Sequence, residues 1–241
     1  MNFDLPELTP EAPQGALCQV KVSKLKPTQN AVGFDEVNDK IARYSAKSKE
    51  DLRDYLLVHS VPVVIGNGGN CYLTDHHHMA NALWKTAEGK NEGGINCKDA
   101  RVVARVQYNR QPLVGYHFWK EMHQLRLVYL FDNDGGGPIR PKDLCGHIRD
   151  LANDPYRSLA WVVRQRYGYA KSPHAFAEFL WANFFRIRIV IDNWILKDKI
   201  REGDVLIGDL PEEQRKEIID EAMYLARSSE AACMPGYLGP G

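Results

Sequence analysis

With 241 residues, 44% of them hydrophobic, the chain is long enough to bury a sizeable core as one large domain or two small ones. Lys+Arg and Asp+Glu balance at 31 each, so the basic excess of a DNA-coating protein is absent; bulk nucleic-acid binding is disfavoured, a local basic patch is not. Five cysteines (18, 71, 97, 145 and 233) form no CxxC pair, which argues against a disulfide framework or a zinc ribbon and for reduced thiols in a cytoplasmic protein.

Residues 1 to 16, acidic and carrying three prolines, read as a loose arm without the apolar centre of a signal peptide. No run of about 18 apolar residues follows anywhere, so no membrane span is expected. "LCQVKVSKL" (17 to 25) alternates as a half-buried strand does, and "KPTQNAVGF" turns the chain. Apolar residues three or four apart then predict helices near 35 to 46 and 48 to 57, the second capped by Ser48. "VPVVIG" (61 to 66) is a buried strand, "NGGN" a tight turn and "CYLT" (71 to 74) the hairpin partner. Asp75 stands at a helix N-cap, with the helix over 76 to 87 and a further strand at 100 to 108. From Gly115 onward helical periods dominate: 115 to 126, 141 to 152, 155 to 167, 173 to 186 and 211 to 228. The stretch 185 to 195 alternates as a strand would, or extends the helix before it. The expected organisation is a flexible arm (1 to 16), an α+β domain (17 to 110) and a mainly helical C-terminal part (111 to 241) packed on it.

The chemistry concentrates in "TDHHHMA", where Asp75 precedes His76, His77 and His78. Consecutive helical residues point about 100° apart, so three adjacent imidazoles do not chelate one ion. Asp75 and His78, three apart, can converge, and a metal site built on them needs further ligands such as His117, His123 or Glu36. A second reading uses the strand-to-helix turn. The first N–H groups of a helix lack intrahelical partners and, with the positive end of the dipole, favour an anion. Asp75 then serves as cap, base or Mg²⁺ ligand. A merely capped helix with exposed histidines stands beside both readings.

The order strand, "KLKPTQNAVGFDEVNDKI", helix, "SVPVVIGNGGNCYLTDHHHMANAL" resembles the ParB/sulfiredoxin superfamily, whose members carry a D-G-H-x-R or G-E-R-R motif at this turn. It is similar above all to the group described as putative ParB-like nuclease, through "DHHH", "DPYRSLAW", "FAEFLWANFFR" and "MPGY", segments spread over most of residues 20 to 238. The resemblance implies a fold that binds nucleotide phosphates at the motif helix, for CTP-gated DNA clamping, phosphoryl transfer from ATP or ADP, or nuclease activity. Asp75 matches the motif's acid, and His77 and His78 its central polar positions. His76 replaces the motif glycine and Met79 its arginine, a bidentate phosphate ligand that Arg157 or Arg186 would have to replace. The loop holding Lys26, Thr28 and Gln29 matches nucleotide contacts of the phosphotransfer relatives, or is only a proline turn. Glu36 is either a base facing the phosphate, as in kinase-like relatives, or one half of an i, i+4 ion pair with Lys40.

Further along, Asp154 caps a helix with Pro155 at its first position, and Arg157 and Arg164 share a face. "HAFAEFLWANFFR" supplies core aromatics, among which Glu178 and Arg186 need partners or line the site. "DNDGGG" lacks the twelfth-position Glu of a calcium loop (Asp143 stands there) and reads as a glycine turn. The expected function is phosphodiester hydrolysis or phosphoryl transfer at the DHHH helix start. Asp75, His77, His78 and Glu36 are the catalytic candidates. Lys26, Thr28, Gln29, His76 and Arg157 are the phosphate contacts, and Asp75 and His78 the ligands of a Mg²⁺ or Mn²⁺ ion. Expected ligands are a nucleotide (ATP, ADP or CTP) or another phosphate-containing small molecule. A nucleotide-dependent DNA-binding adaptor of the partition type and a non-catalytic family member are the alternatives.

Overall fold

The computed structural model describes residues 1–88, 99–189 and 205–240. The chain folds as α+β, with β1 (Leu17–Lys21), β2 (Leu25–Pro27), β3 (Ala31–Val32), α1 (Phe34–Ser45), α2 (Lys49–Val58), β4 (Val61–Ile65) and β5 (Cys71–Leu73). These are followed by α3 (His77–Glu88), β6 (Arg101–Asn109), α4 (Gly115–Gln124), β7 (Ala152–Asn153), α5 (Pro155–Gln165), α6 (Ala177–Arg186) and α7 (Glu212–Arg227). It divides into two compact units. The first comprises Met1–Asn30, Val37–Asp132 and Gly137–Leu151; the second comprises Ala31–Glu36, Asn133–Gly136 and Ala152–Gly241. No helix among the described residues is long and apolar enough to cross a membrane.

The first unit is built on a mixed five-stranded sheet in the order β1-β6-β4-β5-β2. β4 sits at its centre, parallel to β6 and antiparallel to β5, which explains its β-branched run: Val61, Val63, Val64 and Ile65 are all buried. α2 begins where Ser48 accepts a hydrogen bond from the Asp51 N–H at 3.0 Å, the cap expected from sequence. Residues 1 to 16 differ from the loose arm expected. Leu8 N donates to Gln19 O and Gln19 N to Pro6 O, both at 2.9 Å, and Phe3 is buried. The arm therefore satisfies the outer edge of β1, backbone pairing that leaves no mark on side-chain periodicity. The helix expected over 141 to 152 is also absent. Two 3-10 turns, Pro141–Asp143 and Ile148–Asp150, stand there instead. Asn30 holds the segment between them in an irregular path, its Nδ2 donating to Asp143 O (3.2 Å) and its Oδ1 accepting from Cys145 N (2.8 Å).

In the second unit β3 and β7 form a short parallel pair. Asp154 caps α5 as expected, its Oδ1 accepting from Tyr156 N (2.9 Å) and Arg157 N (3.1 Å) with Pro155 at the first position. α5, α6 and α7 enclose Leu159, Val163, Trp181, Phe185, Ile219 and Ala222, with Tyr169 stacked on Trp181 at 4.3 Å. α6 begins at Ala177, four residues later than the expected 173, because Pro173 and a left-handed Phe176 (φ 59°) precede it. Asp134 Oδ1 accepts from Gly136 N at 3.0 Å and closes the glycine turn. Residues 190 to 195 of the expected strand or helix extension lie outside the described residues.

Candidate functional site at the start of α3

The β4–β5 hairpin delivers Thr74 and Asp75 to the first turn of α3. Thr74 is fixed there, its N–H donating to Pro62 O (3.1 Å) and its hydroxyl to Gln107 Oε1 (2.9 Å). Asp75 and His76 are exposed, whereas His77, His78 and Met79 are buried. The helix starts one residue later than expected, and Asp75 is not its cap in the usual sense. The Asp75 carboxylate accepts the N–H of its neighbour His76 at 2.6 Å, and the His76 carbonyl accepts the first helical bond, from Ala80 N at 3.0 Å. His76 turns the corner with φ 64°, the left-handed region that glycine occupies without cost and other residues at about 1 kcal/mol.

His77 does not face solvent. Its Nε2 accepts the Thr28 N–H at 3.1 Å, so the ring proton resides on Nδ1 and the imidazole is neutral. Burial pushes its pKa down to about 4, against weaker opposing pulls from Asp75 and the Leu73 carbonyl. The Thr28 hydroxyl donates to Leu73 O (2.8 Å) and the Thr28 carbonyl accepts from Tyr129 N (2.8 Å). Two residues expected as catalyst and phosphate ligand are thereby bonded to each other, and they clamp the 26–30 loop onto the helix start. Gln29 is buried behind Thr28, and Lys26, partly buried, lies on β2 opposite Tyr72. Asn81, which the sequence reading passed over, is fully buried and donates to Ile148 O at 2.7 Å; its own Oδ1 is buried without a hydrogen bond. Its position four residues after His77, on the same helix face, was the available signal.

Asp75 and His78, the expected metal pair, are one exposed and one buried, and among the described residues no three His, Cys, Asp or Glu side chains converge as a metal site. A single carboxylate with open coordination suits a hydrated Mg²⁺ or Mn²⁺ shared with a phosphate better than a tightly held transition metal.

Glu36 and Arg157 fall in the second unit and bond to each other. Arg157 Nη2 lies 3.2 Å from Glu36 Oε2 and 2.6 Å from Glu178 Oε2, while Arg164 donates to the other Glu178 oxygen. Burial opposes the Arg157 charge, but Glu178 and then Glu36 outweigh it and raise its pKa. Arg157 thus pairs with Glu178 and Glu36 through Nη2, while its Nη1 is buried without a hydrogen bond, and Glu36 has this guanidinium against it. Arg186 is likewise engaged: its Nη2 lies 2.7 Å from Asp154 Oδ1, and its guanidinium sits over the Tyr156 ring at 5.0 Å.

None of the curated proteins matches the chain. Among solved structures it is similar to the crystal structure of protein Atu1540 from Agrobacterium tumefaciens, at 35% identity and a TM-score of 0.74, covering 94% of this chain and 98% of that one. The family model described as "Putative ParB-like nuclease" matches residues 18–187. With the strand-turn-helix corner and most of the chain accounted for by these matches, the protein belongs to the ParB-like nuclease family.

Proposed function

We propose that the protein hydrolyses phosphodiesters at the Asp75–His76 corner. The observation that carries this reading is the contrast within "DHHH": the acid and first imidazole are exposed on a left-handed turn, with the next two rings buried behind them. Asp75 Oδ1 accepts the His76 N–H, which orients the carboxylate and leaves Oδ2 to take a proton from an attacking water. The resulting hydroxide attacks phosphorus, the bond to the leaving oxygen breaks, and a protonated His76 returns a proton to that oxygen. The first N–H groups of α3 stabilise the developing negative charge. His77 and Thr28 act on neither water nor phosphate; they hold the 26–30 loop and the helix start in register. With Asp75 as ligand instead of base, a divalent cation held there would neutralise phosphate charge. Hydrolysis of bis(4-nitrophenyl) phosphate with Mg²⁺ or Mn²⁺ tests the reading. Asp75→Asn is expected to lower kcat about 100-fold or more, and an unchanged rate overturns it.

A second reading, a DNA-binding adaptor, has one supporting observation. Tyr167 is 82% exposed with φ 60° at the end of α5, beside exposed Arg166 and four residues before exposed Lys171. An electrophoretic shift with DNA that Tyr167→Ala abolishes would favour it over hydrolysis.

A further inference from the structure

The corner that the hydrolase reading assigns to phosphate has a charge inventory that also sets which phosphate it takes. A nucleoside di- or triphosphate brings several negative charges and needs cations to meet them. The first turn of α3 (His77, His78, Met79, Ala80) holds neither Lys nor Arg, and Met79 is buried. His77 offers an acceptor nitrogen, already used by Thr28. The fixed positive contribution is the helix start, equivalent to about half an elementary charge. The exposed Asp75 carboxylate opposes it with a full negative charge. The flanking 140–150 segment of the same unit, which Asn81 ties to α3 at Ile148, carries two arginines, and each meets a carboxylate of its own segment: Arg140 with Asp143 at 2.8 Å, Arg149 with Asp150 at 3.3 Å. Lys26 on β2 and Lys142 on that segment add single charges. Among the described residues of this unit, those at the corner do not fit a nucleoside polyphosphate. They fit a phosphate that carries a single charge and arrives with, or without, one divalent ion.

Resting on the phosphate-facing reading of the corner, we infer that it rejects nucleoside polyphosphates and takes singly charged phosphodiesters, with Asp75 as the residue that discriminates. The selectivity follows from charge, so removing the Asp75 charge while keeping its size relaxes it. The side chain is exposed, and Asp75→Asn is expected to fold with an unshifted melting temperature.

Calorimetric titration of the full chain with ATP, ADP and CTP, each with and without Mg²⁺, reads the inference directly. The wild type is expected to give no saturable binding below millimolar concentration, and Asp75→Asn to bind the same nucleotides at least about 10-fold more tightly. Submillimolar binding of any of the three by the wild type overturns the inference, and so does an Asp75→Asn variant that binds no better. Diester turnover on the same preparations separates the two levels. Nucleotide inhibition of a turnover that depends on Asp75 overturns the selectivity and leaves the hydrolase standing. Absent turnover in the wild type overturns the hydrolase, and the diester preference with it.

Discussion

The α3 corner and the α5–α6 charge cluster hold similar residue types put to opposite uses. At the cluster, Arg157 and Glu36 are buried, and every carboxylate there has a guanidinium against it. At the corner, an acid and an imidazole are presented to solvent on a backbone turn that L-residues rarely adopt. Charges buried with partners organise a fold, because leaving any one of them alone is costly. Charges left exposed on a strained turn contribute little to stability, and the proposed hydrolysis gives their placement a use. The contrast separates the two groups of candidate residues more sharply than their chemistry does.

Breaking the cluster should have the largest effect. Arg157→Ala leaves buried Glu36 without its guanidinium and Glu178 with Arg164 alone, and a loss of about 3–5 kcal/mol is expected in urea unfolding. A loss below about 1 kcal/mol would mean the network is better solvated than its burial indicates. Acid is expected to act next, through His77. Its folded pKa of about 4 lies below its ordinary value of 6.5, so the unfolded chain takes up the proton first. Its contribution is complete above pH 6.5 and lost as pH falls through 4, on the order of 3 kcal/mol. His77→Phe should flatten that part of the stability–pH curve, and an unchanged slope would assign it to other groups.

Smaller changes sharpen the corner. His76→Gly should stabilise the fold by up to about 1 kcal/mol, since glycine adopts φ 64° freely, while lowering diester turnover. A variant that gains stability with full activity would show that the His76 ring takes no part. Ser48→Ala should cost about 1 kcal/mol through the lost cap of α2.

Much of the first unit was legible because hydrophobic period and turn chemistry are local. The 61–74 hairpin, the helix after Asp75 and the strand near 100 to 108 all follow from residues within a few positions of each other. The second unit's cluster joins Glu36 to Arg157 across 121 residues, and no periodicity records such a pairing. Likewise "DHHH" shows four polar residues in a row, but only the left-handed backbone at His76 decides which face out and which turn in. The 141–152 segment misled because its apolar spacing is helical while Asn30, far away in sequence, holds its backbone in another path.

Turnover of bis(4-nitrophenyl) phosphate by the wild type, Asp75→Asn and His77→Phe, measured above pH 6.5 with Mn²⁺ present, tests the division of labour at the corner most directly. Loss of activity is expected in the Asp75→Asn variant at unchanged melting temperature, with a kcat fall about 100-fold or more. The His77→Phe variant should lose stability while retaining measurable turnover. Full activity without the Asp75 carboxylate, or loss of chemistry in a stably folded His77→Phe variant, would contradict the account.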